Sequence, residues 1–159
     1  MTIRNSGLVA NYLALPQVAS PASELRGRVR IAAGNVALLA GDSTDNDIVY
    51  LAPLPSHANL ISCRIGSDAL GGSCTFNVGL YKLDDSVVDE DCIATSVADG
   101  AAIAELRYEV LDLNTTGQKL YELGGLSTDP SEQLYVAVTF NATGGTAGDL
   151  AFIIEYAVD

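Results

Sequence analysis

The sequence predicts an all-β domain, an antiparallel β-sandwich or jelly roll, preceded by an extended N-terminal arm. Short apolar runs of strand length alternate with turns rich in Gly, Pro, Asn and Asp, most visibly in DIVYLAPLPSHANLISCRIGSDALGGSCTFNVGLYK from Asp47 to Lys82. The composition agrees: 48% of residues are hydrophobic, yet only 6% are aromatic, Trp is absent and small and β-branched residues dominate. No heptad or internal repeat competes, and about seven or eight strands at this spacing favour a sandwich over a parallel α/β fold.

At 159 residues the chain fits one domain with an ample core. The expected division is an arm over residues 1–26 and a single body over residues 27–159. The formal charge of −12 opposes binding to nucleic acid and to anionic membrane surfaces. It is unevenly placed. Residues 1–30 carry Arg4, Arg26, Arg28 and Arg30 against Glu24, a sum of +3 that leaves −15 for the remainder. No apolar run reaches the length of a membrane span, and the N-terminal features fit a secretory signal poorly.

In the arm, Pro16 and Pro21 interrupt a small-residue segment without a sustained period, so extended chain is expected. Leu8, Val9, Tyr12, Leu13 and Leu15 give it apolar surface that a neighbouring subunit or its own body would order. From Gly27, Val29 and Ile31 alternate with Arg28 and Arg30, which predicts a half-buried strand with the arginines outward; Asn35–Leu39 reads as a second short strand. Pro53 and Pro55 end the next strand near Leu51 or confine it to an edge.

Ala58–Ile65 and Cys74–Tyr81 flank GSDALGGS and read as a hairpin, across which Cys63 and Cys74 would come near one another with a bridge optional. DDSVVDEDC reads as an exposed loop, and VADGAAIAEL as helix-compatible but ambiguous. Alternation from Leu106 to Leu111 favours a strand, and GQKLYELGGL a turn or two of helix stopped by Gly124 and Gly125. LYVAVTF, with Leu134, Val136, Val138 and Phe140 on one face, and DLAFIIEYAV, with Leu150, Phe152, Ile154, Tyr156 and Val158 on one face, read as two strands joined by a glycine-rich hairpin loop.

Chemistry is sparse. His57 is the sole histidine, in an exposed turn, and neither GxSxG nor a P-loop is present, so no catalytic residue is expected. Asp42, Asp45 and Asp47 offer oxygen ligands to calcium without the glycine and bidentate Glu of an EF-hand; they read as a solvated turn. Asp84, Asp85, Asp89, Glu90 and Asp91 read likewise as a solvated surface. No metal and no cofactor is expected. Sugar chemistry by paired carboxylates lacks aromatic platforms in this chain, and the Asn-x-Thr triplets at Asn114 and Asn141 are of a kind that arises by chance. Three cysteines, Cys63, Cys74 and Cys92, make neither a disulfide framework nor a zinc ribbon and are expected as free, buried thiols.

The order apolar strand, LxxLP with a following Asn, strand, DALGGS turn and a strand ending in G-x-Y resembles a group of small virion proteins of tailed bacteriophages. GRVR near Gly27 and DLNTTGQKLYELGGLSTDP from Asp112 to Pro130 extend the resemblance over most of residues 27–159. The resemblance implies a non-enzymatic β-sandwich or jelly roll that decorates or cements the outer surface of a phage head, as a homotrimer on the major capsid protein, after synthesis in the bacterial cytoplasm. Arg4, Leu8, Tyr12, Leu15, Arg26, Arg28 and Arg30 are the expected capsid-facing residues. A tail, fibre or head-completion component is the alternative within that class, and a carbohydrate-binding jelly roll the alternative outside it.

Overall fold

The computed structural model describes residues 7–19, 27–107 and 115–158. Among these, the apolar runs form eight strands: β1 (Arg28–Leu38), β2 (Ile48–Pro55), β3 (Asn59–Ser67), β4 (Thr75–Lys82), β5 (Val87–Ala98), β6 (Ala104–Glu105), β7 (Gln133–Phe140) and β8 (Gly148–Val158). Two short helices, α1 (Gly7–Leu13) and α2 (Leu120–Leu123), accompany them.

All pairings are antiparallel, in one sheet of order β1-β8-β3-β6 and another of order β2-β7-β4-β5. That order is the double Greek key of a jelly roll. Only β4 and β5 are consecutive strands that pair with each other; the other connections cross from sheet to sheet.

Alternation builds the core. Leu134, Val136, Val138 and Phe140 of β7 and Phe76, Val78 and Leu80 of β4 meet Leu60, Cys63 and Ile65 of β3 and Leu150 and Ile154 of β8, all buried. Each large side chain so buried contributes about 1.5–3 kcal/mol. Phe76 and Phe140 touch edge to face across the β4–β7 pair, with centroids 6.2 Å apart.

The expected hairpin of Ala58–Ile65 with Cys74–Tyr81 is absent: β3 and β4 lie in opposite sheets, and the turn between them arches over the end of the sandwich. The reason sits in the turn itself. Leu70 is fully buried there, its N–H donating to the Asp99 carboxylate at 2.6 Å and its carbonyl accepting from Thr146 N–H at 2.8 Å. A turn whose apex residue belongs to the core plugs the sandwich and cannot flare away as a hairpin loop. The final glycine-rich loop crosses in the same way from β7 to β8, packing Gly144 so closely on the Leu70 carbonyl that an added Cβ would lie 2.7 Å from it.

Further departures concern single elements. Of the acidic stretch expected as a loop, Asp84, Asp85 and Ser86 form an exposed turn while residues 87–92 belong to β5, which makes the β4–β5 hairpin through that turn, closed by Lys82 N–H and the Ser86 carbonyl at 2.9 Å, with Asp85 at φ +67°. VADGAAIAEL is not helical: β5 runs to Ala98, Gly100 turns at φ +68°, and β6 follows. Asn35–Leu38 continues β1 without a break. Leu106 and Arg107 are buried after β6, while the strand expected over Tyr108–Leu111 lies outside the described residues. The arm, expected to be extended, contains the helix α1: GLVANYL holds no proline, and the helix stops before Pro16. The helix expected around LYEL is present as one turn capped by Gly124, with Gly125 at φ +74°.

Candidate interaction surface

His57 is exposed, and the neighbouring Ser56 hydroxyl donates to the Asp129 carboxylate, not to an imidazole. That bond and the Ser131 N–H, at 2.8 Å, hold the Asp129 carboxyl below its ordinary range. Asp42 accepts from Leu39 N–H at 2.9 Å, and Asp47 from the N–H and hydroxyl of Thr44, so these carboxylates fold their own turn. Among the described residues no three His, Cys, Asp or Glu side chains are grouped to hold a metal, and no helix is long and apolar enough to cross a membrane.

Cys63, Cys74 and Cys92 are buried and free. Burial pushes Cys63 up to about 12 and raises Cys74 and Cys92 too, which keeps them protonated and unreactive. Arg107, a residue without apparent role in the sequence, is buried; its guanidinium donates to the carbonyls of Leu60 at 3.2 Å and Thr115 at 3.1 Å, tying β3 to the chain ahead of α2.

Among the described residues the fold presents four sheet edges, and three of them carry a device that blocks pairing. Strand β2 has Pro53 and Pro55 and a bulge between Tyr50 and Ala52. Strand β5 is broken by three register shifts against β4, and β6 is two residues long. Strand β1 has none: its eleven residues pair with β8 in unbroken register, and among the described residues no strand pairs with their other side.

The faces of β1 are the reverse of those expected. Ala32, Gly34 and Val36 lie opposite Ile154, Phe152 and Leu150, so the even-numbered residues face inward and Leu38 joins the core. Val29 and Ile31 therefore stand on the outer face, 61% and 65% exposed. A period-2 pattern reads equally well either way, and pairing with β8 decides it. Gly34 fits this register because an added Cβ would stand 3.1 Å from the Phe152 ring. Arg28 and Arg30 lie where β1 outruns the core and are exposed.

At the other end of the flank β1 and β2 splay apart from their connecting loop. They leave a cleft of about 520 Å³ lined by Val36, Leu38, Asp42, Asp47, Ile48 and Tyr50, among others. On the outer face of the second sheet Tyr50 packs on Tyr135 and edge-on to Tyr81, with centroids 4.7 and 5.9 Å apart, and the Tyr81 hydroxyl bonds Thr139 Oγ1 at 2.6 Å. Burial, then Asp85, lifts the Tyr50 phenol to about 12. Only the strand order β2-β7-β4 brings these rings together; nothing in their spacing along the chain signals it.

Of the residues expected to face a capsid, Arg28 and Arg30 stand together on the β1 edge. Leu15 follows α1 and is 97% exposed. Leu8 and Tyr12 belong to α1, and Arg4 and Arg26 lie outside the described residues.

The fold has known counterparts. A chain of the cyanophage Pam1 capsid asymmetric unit matches end to end, covering 100% of both chains at 19% identity and a TM-score of 0.54. A chain of the Ralstonia phage GP4 capsid covers 89% of this chain and 91% of its own at 16% identity, TM-score 0.51. At these identities the likeness is one of fold. No protein-family model and no curated protein matches the sequence.

Proposed function

We propose that the chain is a non-enzymatic decoration or cement protein of a phage head, bound as a homotrimer to the outside of the shell formed by the major capsid protein. The observation that carries this reading is the end-to-end likeness to a chain of a phage capsid, with neither chain leaving a domain unmatched. A surface built of strand edges and turns suits a physical mechanism. Each copy would bridge neighbouring capsid subunits through many modest contacts, so that the lattice multiplies a weak single-site affinity against internal pressure. The basic, apolar arm and the β1 arginines face the shell in this reading, and the acidic body faces solvent.

Quantitative mass spectrometry of purified virions tests it. A decoration protein is present in numbers comparable with the shell subunit. A count at the level of a single vertex or of the tail would overturn decoration in favour of a tail, fibre or head-completion role.

A further inference from the structure

We infer that the open edge of β1 is a strand-addition site for an extended segment of a partner protein, acidic where it faces Arg28 and Arg30 and apolar where it meets the cleft beside Val36 and Leu38. Three independent observations converge on it. The edge is long, regular and unblocked while every other edge is blocked, and an added strand would satisfy its outward N–H and C=O groups. Beside it the sandwich stays open in a cleft of about 520 Å³ whose walls carry Val36, Leu38 and Ile48 together with Asp42 and Asp47, room for apolar side chains of a strand laid along β1 and a poor place for acidic ones. Finally, Val29 and Ile31 extend an outer apolar row that an added strand would continue.

Charge selects the occupant. The sequence RVRIAAGNVAL contains no acid, so a second copy pairing through β1 would leave both arginines without a counter-charge. Strand β5 of a second copy carries Asp89, Glu90 and Asp91, but its register shifts make it a poor template for a regular ladder. The chain's own arm is net basic and helical over Gly7–Leu13. Among the described residues no free strand edge of a second copy meets the two arginines with acid on a regular ladder, and the occupant is a separate protein, with two carboxylates spaced two residues apart opposite Arg28 and Arg30, and Val-like or small residues at the positions between and beyond. Its identity as a shell subunit rests on the proposed function; the site itself does not.

The test uses the full chain and two blocked peptides, EVEVAVSVVSV and its reverse VSVVSVAVEVE, each long enough to run from Arg28 to Leu38 and one for each direction of an added strand. Amide hydrogen exchange is followed along β1. At a peptide concentration ten times its Kd, the outward amides of β1 should exchange about tenfold more slowly. The counterpart KVKVAVSVVSV should leave them unchanged. Separate Ala32→Pro and Ala33→Pro variants direct the block to β8 in one case and to the free edge in the other; the one that keeps the wild-type Tm should lose the protection. Should both unfold, the double variant Arg28→Glu, Arg30→Glu still decides, because it must exchange preference for the glutamate peptide for the lysine peptide.

Protection by neither peptide, equal protection by both, or protection of β1 by self-association without peptide would overturn the inference. Head binding separates it from the proposed function. Wild-type chain that protects β1 with peptide yet fails to bind heads stripped of it refutes the shell reading alone. Charge-reversed chain that binds such heads as tightly as wild type refutes the shell as the occupant of the edge.

Discussion

Replacing Gly79 with Ala should destabilise the fold through a collision between backbones. Opposite this residue β5 advances from Ala94 to Asp89 while β4 advances only from Val78 to Leu80, so a wide bulge of β5 passes directly over Gly79. A Cβ added there would lie 2.2 Å from the Asp89 carbonyl oxygen, and 2.3 and 2.5 Å from the carbonyl carbon and oxygen of Glu90. Real contacts stay above 3.0 Å, so β5 must retreat by close to 1 Å, and no side-chain rotation relieves the clash because the neighbours are main chain. Overpacking of this kind costs about 1–3 kcal/mol, and the stiffer unfolded chain returns about 0.4–1 kcal/mol. The difference of the mid-range values, about 1.3 kcal/mol, lowers Tm by about 3–5 °C for a chain of this size.

Thermal unfolding followed by circular dichroism reads the effect, with Gly41→Ala as the matched control. Gly41 has no atom within 4 Å of its added Cβ and no positive φ, so the same chemical change there should be neutral or raise Tm by about 1–4 °C, the effect of about 0.4–1 kcal/mol. A Gly79→Ala chain as stable as wild type would refute the close approach of β5 to β4. So would a loss of stability with unchanged amide exchange across Val87–Cys92, because the strain must appear in the strand that is pushed away.

Other perturbations test other parts of the structure. Ser56→Ala removes the hydroxyl that depresses the Asp129 carboxyl; a lowered folded pKa stabilises above the unfolded value of 3.8 and is lost as pH falls through the folded one. Denaturation with urea should therefore show wild type and variant differing near neutrality and converging in acid, and a gap that widens in acid would contradict the bond. A thiol reagent at mildly alkaline pH should modify Cys63 and Cys92 only in denaturant, since burial raises both; rapid labelling of the native chain would show the sandwich to be looser than described. Glu155→Gln breaks a half-exposed ion pair with Arg64 and should cost less than about 1 kcal/mol in a urea melt, a larger loss meaning that the pair is more shielded than its exposure suggests. Deleting residues 2–20 should leave the melting of the β-body intact and weaken sedimentation with heads, whereas unchanged sedimentation would remove the arm from the mechanism.

Alternation made the core legible where strands are central. Leu134 through Phe140 and Leu150 through Ile154 show their buried faces in the sequence because both sheets press on them. Edges are another matter. β5 spends its outward residues on Asp89, Glu90 and Asp91 and bulges three times, so a period of two never accumulates and an acidic strand looks like a loop. The partners of each strand were illegible for a topological reason: a jelly roll sends nearly every connection across the sandwich, and a glycine-rich turn encodes a reversal without encoding which sheet receives the next strand. At the candidate surface, the exposure of Arg28 and Arg30 was readable. The inversion of Val29 and Ile31, the tyrosine cluster and the burial of Arg107 were not, because each depends on residues brought in from distant strands.

The reversal at β1 is what makes that edge a candidate interface. With Val29 and Ile31 turned inward, as the sequence suggests, β1 would end the sheet with a polar outer face and two solvated arginines, an ordinary protected edge. With the even residues inward instead, the strand runs past the core, leaves its apolar row in solvent and sets both cations beside an unsatisfied backbone. An exposed apolar row costs solubility, and an open ladder invites mispairing; both are tolerable in a body this acidic because like-charged copies repel one another. The same repulsion would exclude an acidic partner everywhere except where positive charge is local. Arg28 and Arg30 supply that exception at the start of the strand, so backbone, apolar and electrostatic complementarity coincide along one edge.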